Sequence, residues 1–162
     1  MEKFAVFTIS EESFGIGIDR AVEIIRVQKI FTIPGLPDFL SGVMSVRGAV
    51  IPLLDLRKRF GMDPSHRKER IIIVRFEKEK IGFLVDEIKE IISLTPDEIL
   101  PPPSLFRGFK TEYITGLGKK GDRIIILLNI DNILSSEERI ILHESMGIIE
   151  DRSAGDHKTD QR

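Results

Sequence analysis

Apolar residues in this chain come in short runs, each broken by polar or turn-forming residues before a helical periodicity can establish. FAVFTI (4–9) and FGIGI (14–18) flank Ser10-Glu11-Glu12-Ser13, a link of hairpin length. Asp19 can cap a single turn before VEIIRV (22–27) resumes as strand. Pro34-Gly35 and Pro37 mark a turn, after which GVMSV (42–46) and AVIPLLDL (49–56) pair around Arg47-Gly48. Pro52 lacks an N–H, so the pattern places it at an edge or a bulge. IIIVRF, IGFLV and EIISL follow, then Pro101-Pro102-Pro103, YITGL and IIILLNI. Ser135-Ser136-Glu137-Glu138 fits a capping box and predicts a helix over 135–146, with Ile140, Ile141 and Leu142 supplying its apolar contacts.

The second set of strands repeats the first. A shift of 67 residues lays FAVFTI (4–9) on IIIVRF (71–76) and FGIGIDRAVEII (14–25) on IGFLVDEIKEII (81–92). Gly15 then meets Gly82, Asp19 meets Asp86, and Glu23 meets Glu90. After a seven-residue insertion the shift is 74, and FLSGV (39–43) meets YITGL (113–117) while VIPLLDL meets IIILLNI. Two copies with so long a period imply a pseudo-twofold pair, not a solenoid. About five short strands per copy, with no long helix between them, predict an all-β fold of small closed barrels that hide their edges.

Composition narrows the class. With 162 residues the chain can bury a core without a metal or disulfide staple, and it has no cysteine. The acidic start MEKFAVFTIS is not a signal peptide, and the longest aliphatic run, Ile124 to Leu128, is too short for a membrane helix. These features predict a cytoplasmic protein without membrane insertion. Twenty-four basic and 26 acidic residues give a net charge of −2, so there is no general attraction to nucleic acid. The 26 isoleucines favour strands. From about Glu150 onward the sequence is polar, and 147–162 reads as a disordered tail.

No arrangement of reactive groups emerges. His66, His143 and His157 fall in a loop, the terminal helix and the tail, and do not converge as metal ligands would. Asp19 with Glu23, and Asp86 with Glu90, resemble paired carboxylates, but their repetition at matching places points to a shared turn role. GLGKKG (116–121) matches a phosphate-binding string, yet a strand follows it where that mechanism needs a helix, so a hairpin turn is the better reading. The basic stretch 57–70 lacks interleaved aromatic residues for stacking on bases and reads as a solvated loop; a small-barrel nucleic-acid binder is the competing reading. The expectation is a non-enzymatic binding module without cofactor or metal.

The order F-G-I…V-E-I-I…I-P-G-L-P-x-F-L-S-G-V-x-x-x-R-G…I-P-L-L-D-L-R-x-R-F resembles the CheW family of chemotaxis coupling proteins. IGFLVDEIKEII, LTPDEILPPP and TEYITGLGKKGDRIIILLNIDNIL carry the resemblance through about residue 142. It implies two five-stranded SH3-like barrels around a shared core plus a short C-terminal helix. One barrel would lie mainly in 14–67 and the other mainly in 81–134, an intertwined arrangement being compatible with the repeat; the helix would take 135–146. The resemblance also implies an adaptor that joins chemoreceptor tips to the regulatory domain of the histidine kinase CheA, peripheral to receptor arrays at the inner membrane. A coupler for another receptor–kinase pathway, such as surface motility, fits the same motifs.

Carried over by motif, Arg47 is the receptor-facing arginine, and Ala21, Val22, Glu23, Gly42, Ser45, Val46 and Gly48 accompany it. Ser45 stands where the family commonly has Asn. Gly48 would permit the turn that brings Arg47 to a groove rim, and Gly42 would keep the groove floor open. Val27 and Ile30 are the candidates for the kinase contact.

Overall fold

The computed structural model describes residues 1–62, 69–102 and 111–147. The strands are β1 (Glu2–Ile9), β2 (Glu12–Gly17), β3 (Ala21–Arg26), β4 (Gly42–Val46), β5 (Ala49–Asp55), β6 (Arg70–Phe76), β7 (Glu79–Val85), β8 (Glu87–Leu94), β9 (Ile99–Leu100), β10 (Ile114–Lys120) and β11 (Arg123–Leu128). A single helical turn, α1 (Leu56–Arg59), follows β5, and a terminal helix, α2, covers 136–147. The strands make two sheets, ordered β8-β1-β2-β11-β10-β9 and β3-β6-β7-β5-β4. Each curls into a small barrel. In the six-stranded one, the β10–β11 hairpin reaches back to β8 through Lys120 Nζ, which donates to the Ser93 carbonyl at 3.0 Å.

The two halves exchange strands. β1 and β2 of the first half pair with β8 and β11 of the second, while β6 and β7 of the second pair with β3 and β5 of the first. One barrel therefore draws on 2–17 and 87–128, the other on 21–55 and 70–85. The isolated Phe31–Val43 bridge holds beside β4 the place that β9 holds beside β10. Most strands of the two barrels fall within 14–67 and 81–134, and the pairing intertwines them by sending each half's first hairpin into the opposite barrel.

Alternation along β1 and β6 shows why both read as unbroken apolar runs. Phe4 and Val6 point into the six-stranded barrel with Ile92, Leu94, Ile125 and Leu127. Ala5, Phe7 and Ile9, on the other face, enter a central core that both sheets share. Ile71 and Ile73 of β6 likewise fill the five-stranded barrel with Met44, Ile51, Leu53 and Leu84, while Ile72 and Val74 face the central core. The barrels are narrow enough that glycines on their strands leave little or no room for a side chain. A Cβ on Gly82 would lie 2.8 Å from both Ile71 Cγ2 and Leu53 Cδ2, and one on its counterpart Gly15 would lie 3.2 Å from Ile125 and Leu127.

Two local expectations are corrected. β5 is an interior strand and Pro52 sits at no bulge, but it precedes the stretch that β7 joins and is unpaired on that side. Its partner Val43 turns its N–H and C=O toward Phe31 (both bonds 2.8 Å), so the missing Pro52 N–H faces the β7 side, where pairing starts only at Leu53. In α2 the capping box forms as predicted: Glu138 N donates to Ser135 Oγ (3.1 Å) and Ser135 N to Glu138 Oε1 (2.9 Å). Leu142 and Met146 are the apolar residues it buries, whereas Ile140 is 61% and Ile141 40% exposed. Positions 138, 142 and 146 share one helical stripe, and 140 and 141 lie off it. GLGKKG closes the β10–β11 hairpin, with Gly121 at φ +62°. The tail beyond Gly147, His66 and His157 lie outside the described residues.

Gly82→Val is expected to lower the free energy of unfolding by about 1–3 kcal/mol through overpacking. Ile140→Ser should leave it within about 0.5 kcal/mol. Chemical denaturation of the two variants checks both.

Candidate functional site

The β4–β5 connection is a two-residue turn, with Arg47 at φ +48° and Gly48 at φ +82°. Such hairpin turns need positive φ at both central positions, which Gly tolerates and an arginine does not favour. The turn projects the Arg47 side chain outward, 72% exposed. Both its terminal nitrogens donate to the Glu23 carboxylate: Nη1 reaches Oε2 at 2.7 Å, and Nη2 bonds Oε1. This hydrogen-bonded fork holds the Glu23 carboxyl below its ordinary pKa and raises that of Arg47.

A β-bulge puts Glu23 in place. The β3–β6 register slips between Ala21 and Glu23, which leaves Val22 unmatched and exposed. Glu23 then shares the face of β3 that carries Ile25 into the barrel. The second half has the same device. The β1–β8 register slips at Lys89, the counterpart of Val22, and Glu90 pairs with Arg123 of the β10–β11 hairpin. A carboxylate after a bulge, tied to a hairpin arginine, is thus part of the repeated plan. Arg47 differs in standing on the turn itself; Arg123 is the first residue of β11.

The fold divides the other predicted residues. Val22, Ser45, Arg47 and Gly48 are exposed, while Ala21, Glu23 and Val46 are partly buried. Gly42 is buried and does not keep a trough floor open. A Cβ there would lie 2.6 Å from Ile30 Cγ2 and 2.8 Å from the Phe31 carbonyl oxygen, and its φ is +150°. Its counterpart Gly116 passes under the Leu100 carbonyl in the same way, at 2.6 Å. Both glycines serve a close crossing of two chain segments. Val27 and Ile30 lie just past β3, partly buried against the five-stranded barrel's interior. The sequence reading missed Ile24 and Phe31, which are exposed apolar neighbours of these residues, Phe31 lying under Lys29 Nζ at 4.9 Å. The Ile24-Ile25 pair gives no hint of which member is outside until the bulge sets the phase.

Groups that resembled reactive ones are claimed by ion pairs. Asp86 is buried and accepts from Arg57 Nη1 (3.3 Å) and Ser10 N (2.7 Å), so it does not work with Glu90. Two cations of the basic stretch are also engaged: Arg57 by Asp55, Glu69 and Asp86, and Arg59 by both oxygens of Glu138. Among the described residues no group of three or more His, Asp or Glu is arranged to hold a metal ion, and no helix is long and apolar enough to cross a membrane.

Comparison with known proteins agrees with this architecture. Residues 3–138 match the family model described as CheW-like domain. The chain is 36% identical over 143 residues to the chemotaxis protein CheW of Klebsiella aerogenes, covering 87% of this chain and 86% of that protein. It is 30% identical over 142 residues to the CheW of Treponema pallidum, covering 84% of each. Among solved structures, the scaffolding protein TtCheW from Thermoanaerobacter tengcongensis superposes with a TM-score of 0.77 at 32% identity, over 85% of this chain and 90% of that one.

Because the folded Glu23 carboxyl is depressed, the stabilisation from its pair with Arg47 is present above the ordinary carboxylate range and lost as pH falls through the folded value. Carbon-detected NMR titration is expected to find Glu23 titrating below the ordinary glutamate value, and Arg47→Ala should raise it back toward that value.

Proposed function

This chain belongs to the CheW family, and from that premise we propose that it is a non-enzymatic adaptor joining chemoreceptor signalling tips to the histidine kinase CheA. The observation that carries the reading is the Arg47 fork, held out on a tight turn and bound to Glu23, whose chain neighbours Val22 and Ile24 are exposed. A guanidinium keeps its charge at any physiological pH and binds carboxylates and carbonyls with fixed geometry. Glu23 takes one edge of the fork and limits its motion. A helical hairpin can then lay apolar side chains over Val22 and Ile24 and offer acceptors to the remaining edge.

The second leg is the CheA regulatory domain, which meets segment 27–31. Val27 and Ile30 show only part of their surface there, so the contact falls chiefly on the exposed ring of Phe31. The adaptor works without bond-making chemistry: it holds two partners in one geometry, and the free energy of that arrangement couples receptor state to kinase output. This role places it in the cytoplasm, at receptor arrays.

Binding of the purified chain to a receptor signalling-tip fragment and to the CheA regulatory domain tests the proposal. Arg47→Glu is expected to weaken the receptor leg at least about tenfold and to leave the kinase leg within about twofold. Equal loss of both legs would refute the assignment of Arg47.

A further inference from the structure

The terminal helix leaves the six-stranded barrel and is fastened to the five-stranded one largely by charge. It follows β11 and the short 3-10 turn Ile130–Asn132. Arg59, on α1 after β5, donates from Nη1 and Nη2 to the two oxygens of Glu138 at 3.0 and 2.8 Å. Arg139 lies over the Phe76 ring, 5.4 Å from its centroid, and 3.7 Å from Glu77. His143 Nδ1 stands 2.7 Å from Glu79 Oε1. Against these attachments, Leu142 and Met146 are the buried apolar residues of α2.

The seat is also imperfect. An open groove of about 650 Å³ runs along the junction of α2 with the β6–β7 hairpin, with Phe76, Glu79, Arg139 and His143 on its walls. Within the seated arrangement Arg139 Nε is buried and has no hydrogen-bond partner. That unsatisfied donor is a cost which the seated state alone bears.

From the charged fastening, the groove and the orphaned donor, we propose that α2 is a latched strap. It opens as a unit at a free energy below that of global unfolding, and its opening bares the part of the central core that Leu142 and Met146 cover. Exposed ion pairs are individually weak, and elements with few buried apolar contacts open first. The barrels stay joined while the strap is open, because no exchanged strand belongs to it and most of the central core, Phe7, Phe14, Ile72, Val74 and Phe83 among it, comes from the two sheets.

The absence of cysteine makes the test direct. Met146→Cys places one thiol under the strap, and Val74→Cys places one in the central core. Under native conditions a thiol reagent is expected to trap Met146→Cys at least about tenfold faster than Val74→Cys. Adding Glu79→Lys should speed Met146→Cys about threefold or more without moving Val74→Cys. The exchanged pair Glu79→Lys with His143→Glu should bring it back to within about twofold of the parent. Trapping of both cysteines at one rate, equal acceleration of both by Glu79→Lys, or indifference of Met146→Cys to that change would each overturn the strap.

Discussion

The Arg57 side chain lies 3% exposed where the two halves of the chain meet, and the rest of the fold is arranged around its charge. It donates to Asp55 on β5, to Glu69 just before β6 and to Asp86 between β7 and β8. Asp55 Oδ1 also accepts the Arg57 N–H and so starts α1, while Asp86 Oδ2 accepts Ser10 N from the β1–β2 turn. Burial pulls the guanidinium pKa down, but its bonds to Glu69 and Asp55 outweigh that and raise it. Leaving such a buried charge with no partner at all costs about 3–5 kcal/mol. Its carboxylates come from both halves, Asp55 from the first and Glu69 and Asp86 from the second, so docking the halves brings them together on one charge.

That constraint acts on a scaffold whose strands are already exchanged. Each barrel contains the first hairpin of the opposite half, so neither can form from one contiguous half of the sequence. The central core between them takes Phe7, Phe14 and Ile16 from one sheet and Ile72, Val74 and Phe83 from the other. Two barrels fixed in this way make a rigid body. In the adaptor role we propose, that rigidity is the working property, since a change in one partner's position is passed on only if the body between does not absorb it by bending.

The exposed features follow from the same repeated plan. A bulge in β3 and another in β8 turn Glu23 and Glu90 toward hairpin arginines, and each glycine crossing, at Gly42 and Gly116, brings a second segment across the neighbouring strand. The halves diverge where Arg47 occupies a left-handed turn position and carries its fork into solvent. One duplicated design thus yields two similar barrel mouths, of which the first holds a cation clear of the surface.

Much of this was legible in the residues themselves. The duplication, the strand pattern, the β10–β11 hairpin and the capping box at Ser135 rest on local chemistry: alternation, turn residues and a side chain within reach of a backbone N–H three residues away. Arg47 was legible as a turn cation through its motif. Which barrel each strand joins was not, because β1 pairs with β8 across more than half of the chain and no local signal selects that partner. Nor could the sequence tell that Pro52 stands on an interior strand, that Gly42 is covered by Phe31, or that Ile140 faces solvent while Leu142 does not. Those outcomes depend on which segment arrives from elsewhere to fill a space. Distant packing decides that, and a single residue's type leaves it open.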